Sequence, residues 1–86
     1  QRTLDEAEPY AREALGKQRR VLGEEHPDTL ISINNVGALL YSMGKFGEAE
    51  PYWREALEKR RRVSGENHPD TLVALSNLGA LLRAQG

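Results

Sequence analysis

His-Pro-Asp-Thr-Leu, at residues 26–30, recurs unchanged at residues 68–72, and Glu-Ala-Glu-Pro-Tyr, at residues 6–10, recurs at residues 48–52. Both intervals are 42 residues long. When the chain is shifted by that interval, 26 of the 44 overlapping positions are identical, so its 86 residues contain one unit written twice. A period of about 20 to 50 residues is typical of solenoids, whose units bury their apolar faces by stacking on neighbours. The sequence therefore predicts a solenoid.

The composition is that of an ordinary soluble domain, with 38% hydrophobic residues, 29% charged residues and a formal net charge of -1. This balance favours neither nucleic acid nor membrane as a partner, and no apolar run approaches the length of a membrane span. Cysteine is absent, which excludes disulfides and weakly favours a cytoplasmic location. Because the chain starts at Gln1 and ends at a repeat boundary, we expect a fragment of a longer array.

The first helix type, A, is predicted by apolar residues that recur at threes and fours after Pro27. This spacing places them on one face of a helix. Pro27 suits the first helical turn, where its missing N–H would have no partner, and Gly44 supplies a left-handed stop. The apolar positions are Leu30, Ile33, Val36, Leu40 and Met43. In the second copy they are Leu72, Leu75, Leu78 and Leu82, between Pro69 and Gly86.

The second helix type, B, combines bulky and small apolar residues. Ala49 and Ala56 leave room for a neighbouring helix, while Phe46 and Trp53 fill the gaps beside them. Glu residues also stand four positions before Arg or Lys, which is typical of a solvated helix face. These pairs are Glu8–Arg12, Glu13–Lys17, Glu50–Arg54, Glu55–Lys59 and Glu58–Arg62.

The two helix types alternate as B-A-B-A, joined by short polar connectors at residues 23–25 and 65–67. We therefore expect a single all-α domain over residues 1–86 with four antiparallel helices. Their predicted ranges are about 4–22, 27–43, 46–64 and 69–85.

The order and spacing of large and small residues resemble the tetratricopeptide repeat. The positions that carry this resemblance are Ile33, Val36, Gly37, Leu40, Gly44, Phe46, Ala49, Trp53 and Ala56, with Leu75, Gly79 and Leu82 in the second copy. The 42-residue unit and its Gly-Glu-x-His-Pro-Asp-Thr-Leu connector are similar to the kinesin-light-chain-like subclass. The resemblance implies a right-handed α-α superhelix. Its A helices would line a concave groove that holds a partner's peptide.

Asn35 and Asn77 occupy equivalent positions in the two A helices, where family members often bond the backbone of a bound peptide. A side-chain amide offers both a donor and an acceptor to an extended peptide. The alternative is that this amide bridges adjacent helices in the stack, and one residue can do both. We expect six further residues to share the groove: Asn34, Ala38, Tyr41, Ser76, Ala80 and Arg83. Tyr41 and Arg83 are the candidate anchors, through stacking and charge.

The resemblance also limits the type of ligand. Clamps for a peptide C-terminal carboxylate place Lys one turn before the groove Asn, whereas this chain has Ile31 and Val73 there. We therefore do not expect a carboxylate clamp. Kinesin light chains favour acidic peptides, a preference that depends on basic groove residues, and Arg83 is the one candidate here.

Other classes of function find little support in the residues. His26 and His68 lie a full repeat apart, too far to share a metal ion, and are interpreted as polar connector residues before proline. Residues 60–62 form an Arg-Arg-Arg run, but a helix spreads these side chains around its axis. No acid, base and nucleophile form a recognisable set. We expect no enzymatic activity, cofactor, metal or nucleic-acid partner.

Two functions remain open. The first is a scaffold that binds a protein or peptide partner in the concave groove. The second is an assembly module, because a first helix of type B and a last helix of type A present mutually complementary faces. Copies could then associate head to tail without closing into a ring.

Overall fold

The computed structural model describes residues 2–86 and contains four α-helices. They are α1 (Arg2–Val21), α2 (Pro27–Ser42), α3 (Phe46–Val63) and α4 (Pro69–Gln85). Each helix packs against the next along the chain, and the described residues contain no strand. The predicted all-α helical repeat is therefore confirmed, with α1 and α3 as B helices and α2 and α4 as A helices. The helix limits differ from those expected by at most two residues. Gln1, the first residue of the expected domain, lies outside the described residues.

Histidine caps the start of both A helices. The Nδ1 atom of His26 accepts a hydrogen bond from the backbone N–H of Asp28 at 3.0 Å, and His68 accepts one from Asp70 at 3.0 Å. Each histidine thus satisfies one of the backbone donors that the first turn of a helix leaves without a partner. The sequence indicated only connector residues at these two positions.

Glycine in the left-handed region ends three of the helices. Gly44 has a φ of 78°, as its predicted role as a helix stop requires, and Gly23 and Gly65 have φ values of 101° and 98°. A side chain at these backbone angles would be strained, whereas glycine adopts them freely. The chain can therefore reverse direction within a few residues.

The core lies around α2, which is covered by α1 on one side and by α3 on the other. Its buried apolar residues are Leu15, Leu30, Ile33, Val36, Leu40, Ala49, Trp53, Ala56, Leu57, Ala74, Leu78 and Leu81. In α4 the buried residues are Thr71, Ala74, Leu78 and Leu81, whereas Leu72, Leu75 and Leu82 are exposed. The two A helices share an apolar pattern but bury different parts of it. Helix α3 covers one side of α2, whereas the equivalent side of α4 is open to solvent.

Two fully buried threonines tie each A helix to the end of the preceding B helix. Thr71 Oγ1 lies 2.7 Å from the carbonyl oxygen of Gly65 and 3.2 Å from that of Arg60. Thr29 Oγ1 makes the weaker equivalent contact, 3.3 Å from the carbonyl oxygen of Gln18. These hydroxyls satisfy carbonyl groups at the helix ends.

All five predicted intrahelical ion pairs form. The structure adds a second set of polar contacts that joins α1 to α3 sideways. Arg12 donates to Tyr52 Oη at 2.6 Å, and Arg19 donates to Glu55 at 2.8 and 3.0 Å. Hydrogen bonds from Arg19, opposed by partial burial and supported by Lys59, lower the pKa of Glu55 to about 2. The two B helices are therefore held side by side along the outer surface.

Candidate functional site

The two A helices meet through a hydrogen bond between side-chain amides. Asn77 Nδ2 donates to Asn34 Oδ1 at 3.1 Å. Next to this bond lies a pocket of about 160 Å³ between α2 and α4. Its lining consists of Leu30, Ile31, Asn34, Ala56, Arg60, Asp70, Val73 and Ala74. The structure therefore brings residues of both A helices to one concave site.

The predicted groove residues differ in exposure. Asn35, Ser76 and Arg83 are exposed, whereas Asn34, Ala38, Tyr41, Asn77 and Ala80 are partly buried. Ala38 follows Asn35 by one turn, and Ala80 follows Asn77 in the same way, so each alanine lies beside an amide on the same helix face. Of the two alanines, Ala38 also packs against the buried core.

Asn35 and Asn77 are equivalent in sequence but have different surroundings. Asn77 bonds to Asn34, which is the counterpart of Ser76 and not of Asn35. This contact matches the alternative in which the amide bridges adjacent A helices. Asn35 is exposed, so its amide is accessible to a partner. Of the eight predicted groove residues, Asn34 is the one that lines the pocket as described over residues 2–86.

Tyr41 packs against α3. Its ring centroid lies 5.3 Å from that of Phe46 and 5.3 Å from that of Trp53, with both ring pairs tilted. Such aromatic contacts fix the orientation of the ring. Arg83, the counterpart of Tyr41 in α4, is exposed. The two predicted anchors therefore have unlike environments.

Trp53 fixes the α2 backbone beside the groove. Its indole Nε1 donates to the carbonyl oxygen of Asn34 at 3.1 Å, and its ring fills the space in which Gly37 lacks a side chain. A Cβ atom at Gly37 would lie 2.4 Å from Trp53 Cδ1. The buried indole thus positions the same residue whose amide receives the bond from Asn77.

Ile31 and Val73 are residues of this site that the sequence reasoning used only to exclude a carboxylate clamp. Both line the pocket, and about half of each side chain is exposed. They occupy equivalent positions, 42 residues apart, and lie out of phase with the buried apolar residues of their helices. That phase was the available signal, because a residue outside the buried apolar stripe of a helix is expected to face solvent.

The structure gives structural roles to the histidines and to the arginine run, which were considered above for metal and nucleic-acid binding. The two histidines cap helices, and no group of three or more metal-binding side chains occurs within residues 2–86. The three consecutive arginines have separate acidic partners: Arg60 pairs with Asp70, Arg61 with Glu66 and Arg62 with Glu25. Over the described part of the chain, no helix has the length and apolar character needed to cross a bilayer.

The sequence profile of the tetratricopeptide repeat family matches residues 1–28 and 29–70. The second match covers one full unit of the internal repeat, and the two together cover most of the chain. No curated protein matches the chain closely enough to count as a relative.

Proposed function

Because the chain belongs to the tetratricopeptide repeat family, whose members generally act as protein-interaction scaffolds, we propose that it binds a peptide segment of a partner in the concave groove between α2 and α4. Such repeats are generally interaction modules without enzymatic activity. Membership of the kinesin-light-chain-like subclass is part of this proposal, and the 42-residue unit is consistent with it.

The main support for this proposal is the exposed pair Ile31 and Val73. Both side chains border the pocket of about 160 Å³ between the A helices. An apolar side chain of a peptide would lose its contact with water there. This pair lies where a carboxylate clamp would need lysine, so the preferred ligand is an internal, extended segment with an apolar side chain.

Asn35 supplies the polar part of the proposed recognition. Its exposed amide can donate to one backbone group of an extended peptide and accept from another. Ala38 and Ala80 leave room for the peptide backbone, and Arg83 is the candidate for an acidic side chain at one end. Asn34 and Asn77 contribute by holding the two helices in register.

Random peptides displayed on phage and selected on the immobilised chain supply the probe. We expect enriched peptides to bind about tenfold more weakly to Val73→Ala and to Asn35→Ala, without a change in the melting temperature. Val63→Ala is the matched control, because Val63 is also exposed, at 44% against 55% for Val73, but lies at the end of α3, outside the pocket. Arg83→Ala tests the charged anchor. Asn77→Ala should lower both binding and stability, since it also removes the bond to Asn34.

Two results would contradict the proposal. One is that selection yields no peptide with reproducible binding. The other is that enriched peptides bind Val73→Ala and Asn35→Ala as tightly as the unchanged chain, which would place their site elsewhere.

A further inference from the structure

One side of α4 exposes apolar residues that α2 buries. Leu30, Ile33 and Leu40 of α2 are 1%, 0% and 0% exposed beneath α3. Their counterparts Leu72, Leu75 and Leu82 are 49%, 47% and 42% exposed. We call these three leucines, together with Gly79, the α4 face. Its four residues are equivalent to the residues of α2 that pack against α3.

Gly79 leaves an open recess in the α4 face. The equivalent residue Gly37 is covered by the Trp53 indole, whereas among the described residues no side chain would lie closer to a Cβ atom at Gly79 than Arg83 Nη1, at 4.0 Å. A helix could therefore approach α4 as closely as α3 approaches α2.

A charged groove of about 480 Å³ on α3 adjoins the α4 face through Leu78. Arg54, Arg61 and Glu66 line this groove. Arg61 pairs with Glu66 at 3.1 Å, and Arg54 pairs with Glu50 at 2.7 Å. Glu58 and Arg62 also line the groove, so it presents charges of both signs along α3 and the connector that follows it.

The repeat shows what such an edge binds. Arg12, Arg19 and Glu24, which lie 42 residues before Arg54, Arg61 and Glu66, hold the next B helix. They contact Tyr52 at 2.6 Å, Glu55 at 2.8 Å and Lys59 at 2.9 Å, respectively. The structure therefore contains one complete example of this helix-to-helix contact, between α1 and α3.

The partners in that contact also have counterparts, and these lie on the exposed surface of α1. Tyr10 corresponds to Tyr52 and is 74% exposed. Glu13 and Lys17 correspond to Glu55 and Lys59, and they pair with each other on the surface at 3.1 Å. Helix α1 thus has the side chains that could pair with those of the α3 groove, in the same order and spacing as the partners on α3 that contact α1.

We propose that the α4 face and the α3 groove together bind helix α1 of a second copy of this chain. Arg54 then donates to Tyr10 of the second copy, Arg61 pairs with its Glu13, and Glu66 pairs with its Lys17. The apolar side of the second α1, with Ala7 and Ala14 exposed, covers Leu72, Leu75 and Leu82. Because the two surfaces differ, the contact is head to tail and repeats from copy to copy.

The strength of this contact is limited by one substitution between the repeats. Ala11 of α1 stands where α3 has Trp53, so the recess at Gly79 receives a methyl group instead of an indole. Because the recess is only partly filled, fewer atoms are in van der Waals contact there than between α2 and α3. Association is therefore weaker than the internal contact and depends on protein concentration. It uses the outer and end surfaces, and so it does not rest on the peptide groove.

The test is sedimentation velocity over a wide range of concentration, with Arg61→Glu and Glu13→Arg as variants. Within the described residues Arg61 pairs with Glu66 and Glu13 pairs with Lys17, both on the exposed surface, so neither change should unfold the protein. We expect the unchanged chain to associate, and each variant to associate about tenfold more weakly. An equal mixture of the two variants should regain association, because the reversed charges again face opposite charges. Circular dichroism checks the fold of each variant.

Two further variants separate the apolar contact from the charges. Leu75→Lys should abolish association, whereas Ser42→Glu, an exposed change on α2 outside both surfaces, should leave it unchanged. A chain that stays monomeric at all concentrations overturns the proposal, as does association that survives both Arg61→Glu and Leu75→Lys. Binding of a polyglutamate peptide to a monomeric chain, lost in Arg61→Glu, would assign the groove to an acidic partner and also overturn it.

Discussion

The indole of Trp53 occupies the volume in which a side chain on Gly37 would have to lie. A Cβ atom on Gly37 would come 2.4 Å from Cδ1 and 2.5 Å from Nε1 of Trp53, well inside van der Waals contact. The ring is also held by its hydrogen bond to the carbonyl oxygen of Asn34. It therefore cannot move aside without losing a buried contact, and the close approach of α3 to α2 depends on this one glycine.

Gly37→Ala should lower the free energy of unfolding by about 2 kcal/mol, because overpacking outweighs the gain in helix propensity. Gly79→Ala is the matched change at the equivalent position. Since a Cβ atom at Gly79 would meet Arg83 Nη1 at 4.0 Å, an ordinary van der Waals distance, the same substitution should raise stability by up to about 1 kcal/mol. Urea unfolding followed by circular dichroism measures both values. Equal effects of the two substitutions would contradict the close packing of Trp53 on Gly37.

Thr71→Val should destabilise the chain by about 1 to 2 kcal/mol, since the buried hydroxyl serves two carbonyl oxygens at the end of α3. Thr29→Val removes one longer contact, at 3.3 Å, and should cost about half as much. Thermal unfolding of the two variants under identical conditions gives the comparison. A larger loss for Thr29→Val would show that these hydrogen bonds do not set the order.

Stability should fall as the solution is acidified through the range in which Glu55 takes up its proton. The pKa of Glu55 is lowered from 4.5 to about 2 in the folded chain. Its contribution is therefore complete above the higher value and is lost as the pH falls toward the lower one. Because solvent screens this partly exposed pair, we expect a contribution on the order of 1 kcal/mol.

Urea unfolding of Glu55→Gln at pH values from about 7 to about 2 checks this dependence. The difference from the unchanged chain should be greatest at neutral pH and should vanish in acid. Glu13→Gln is the control, because the equivalent Glu13 forms an exposed pair with Lys17 on the surface. A difference for Glu55→Gln that stays constant with pH would exclude the ion pair with Arg19 as its source.

His68→Ala should cost about 1 kcal/mol and speed hydrogen exchange at the amide of Asp70, because the cap of α4 is lost. His68→Asn keeps an acceptor in the same place and should restore most of the stability. His26 offers the same pair of substitutions at α2. If the alanine and asparagine variants were equally unstable, capping could not be the role of the ring nitrogen.

The sequence predicted the helices well and their contacts less well. Apolar spacing, Pro27 and Gly44 placed the limits of α2 within one residue, because these signals act within a single helix. The bond from Asn77 to Asn34 was not predicted as such, since it depends on how two helices are offset. The histidine caps were missed because histidine is not among the usual capping residues. The exposure of Ile31 and Val73 could have been recognised from their phase.

Taken by itself, the sequence determined the period, the order of the helices and the family, because a repeat of 42 residues and helical spacing are properties of the chain order alone. Only the tertiary structure decided which copy of each feature is buried and which is open. Leu30 and Leu72 each end the same pentapeptide, His-Pro-Asp-Thr-Leu, yet one is covered by α3 and the other faces solvent. The physical reason is that burial belongs to a pair of packed surfaces, whereas the sequence describes one surface at a time.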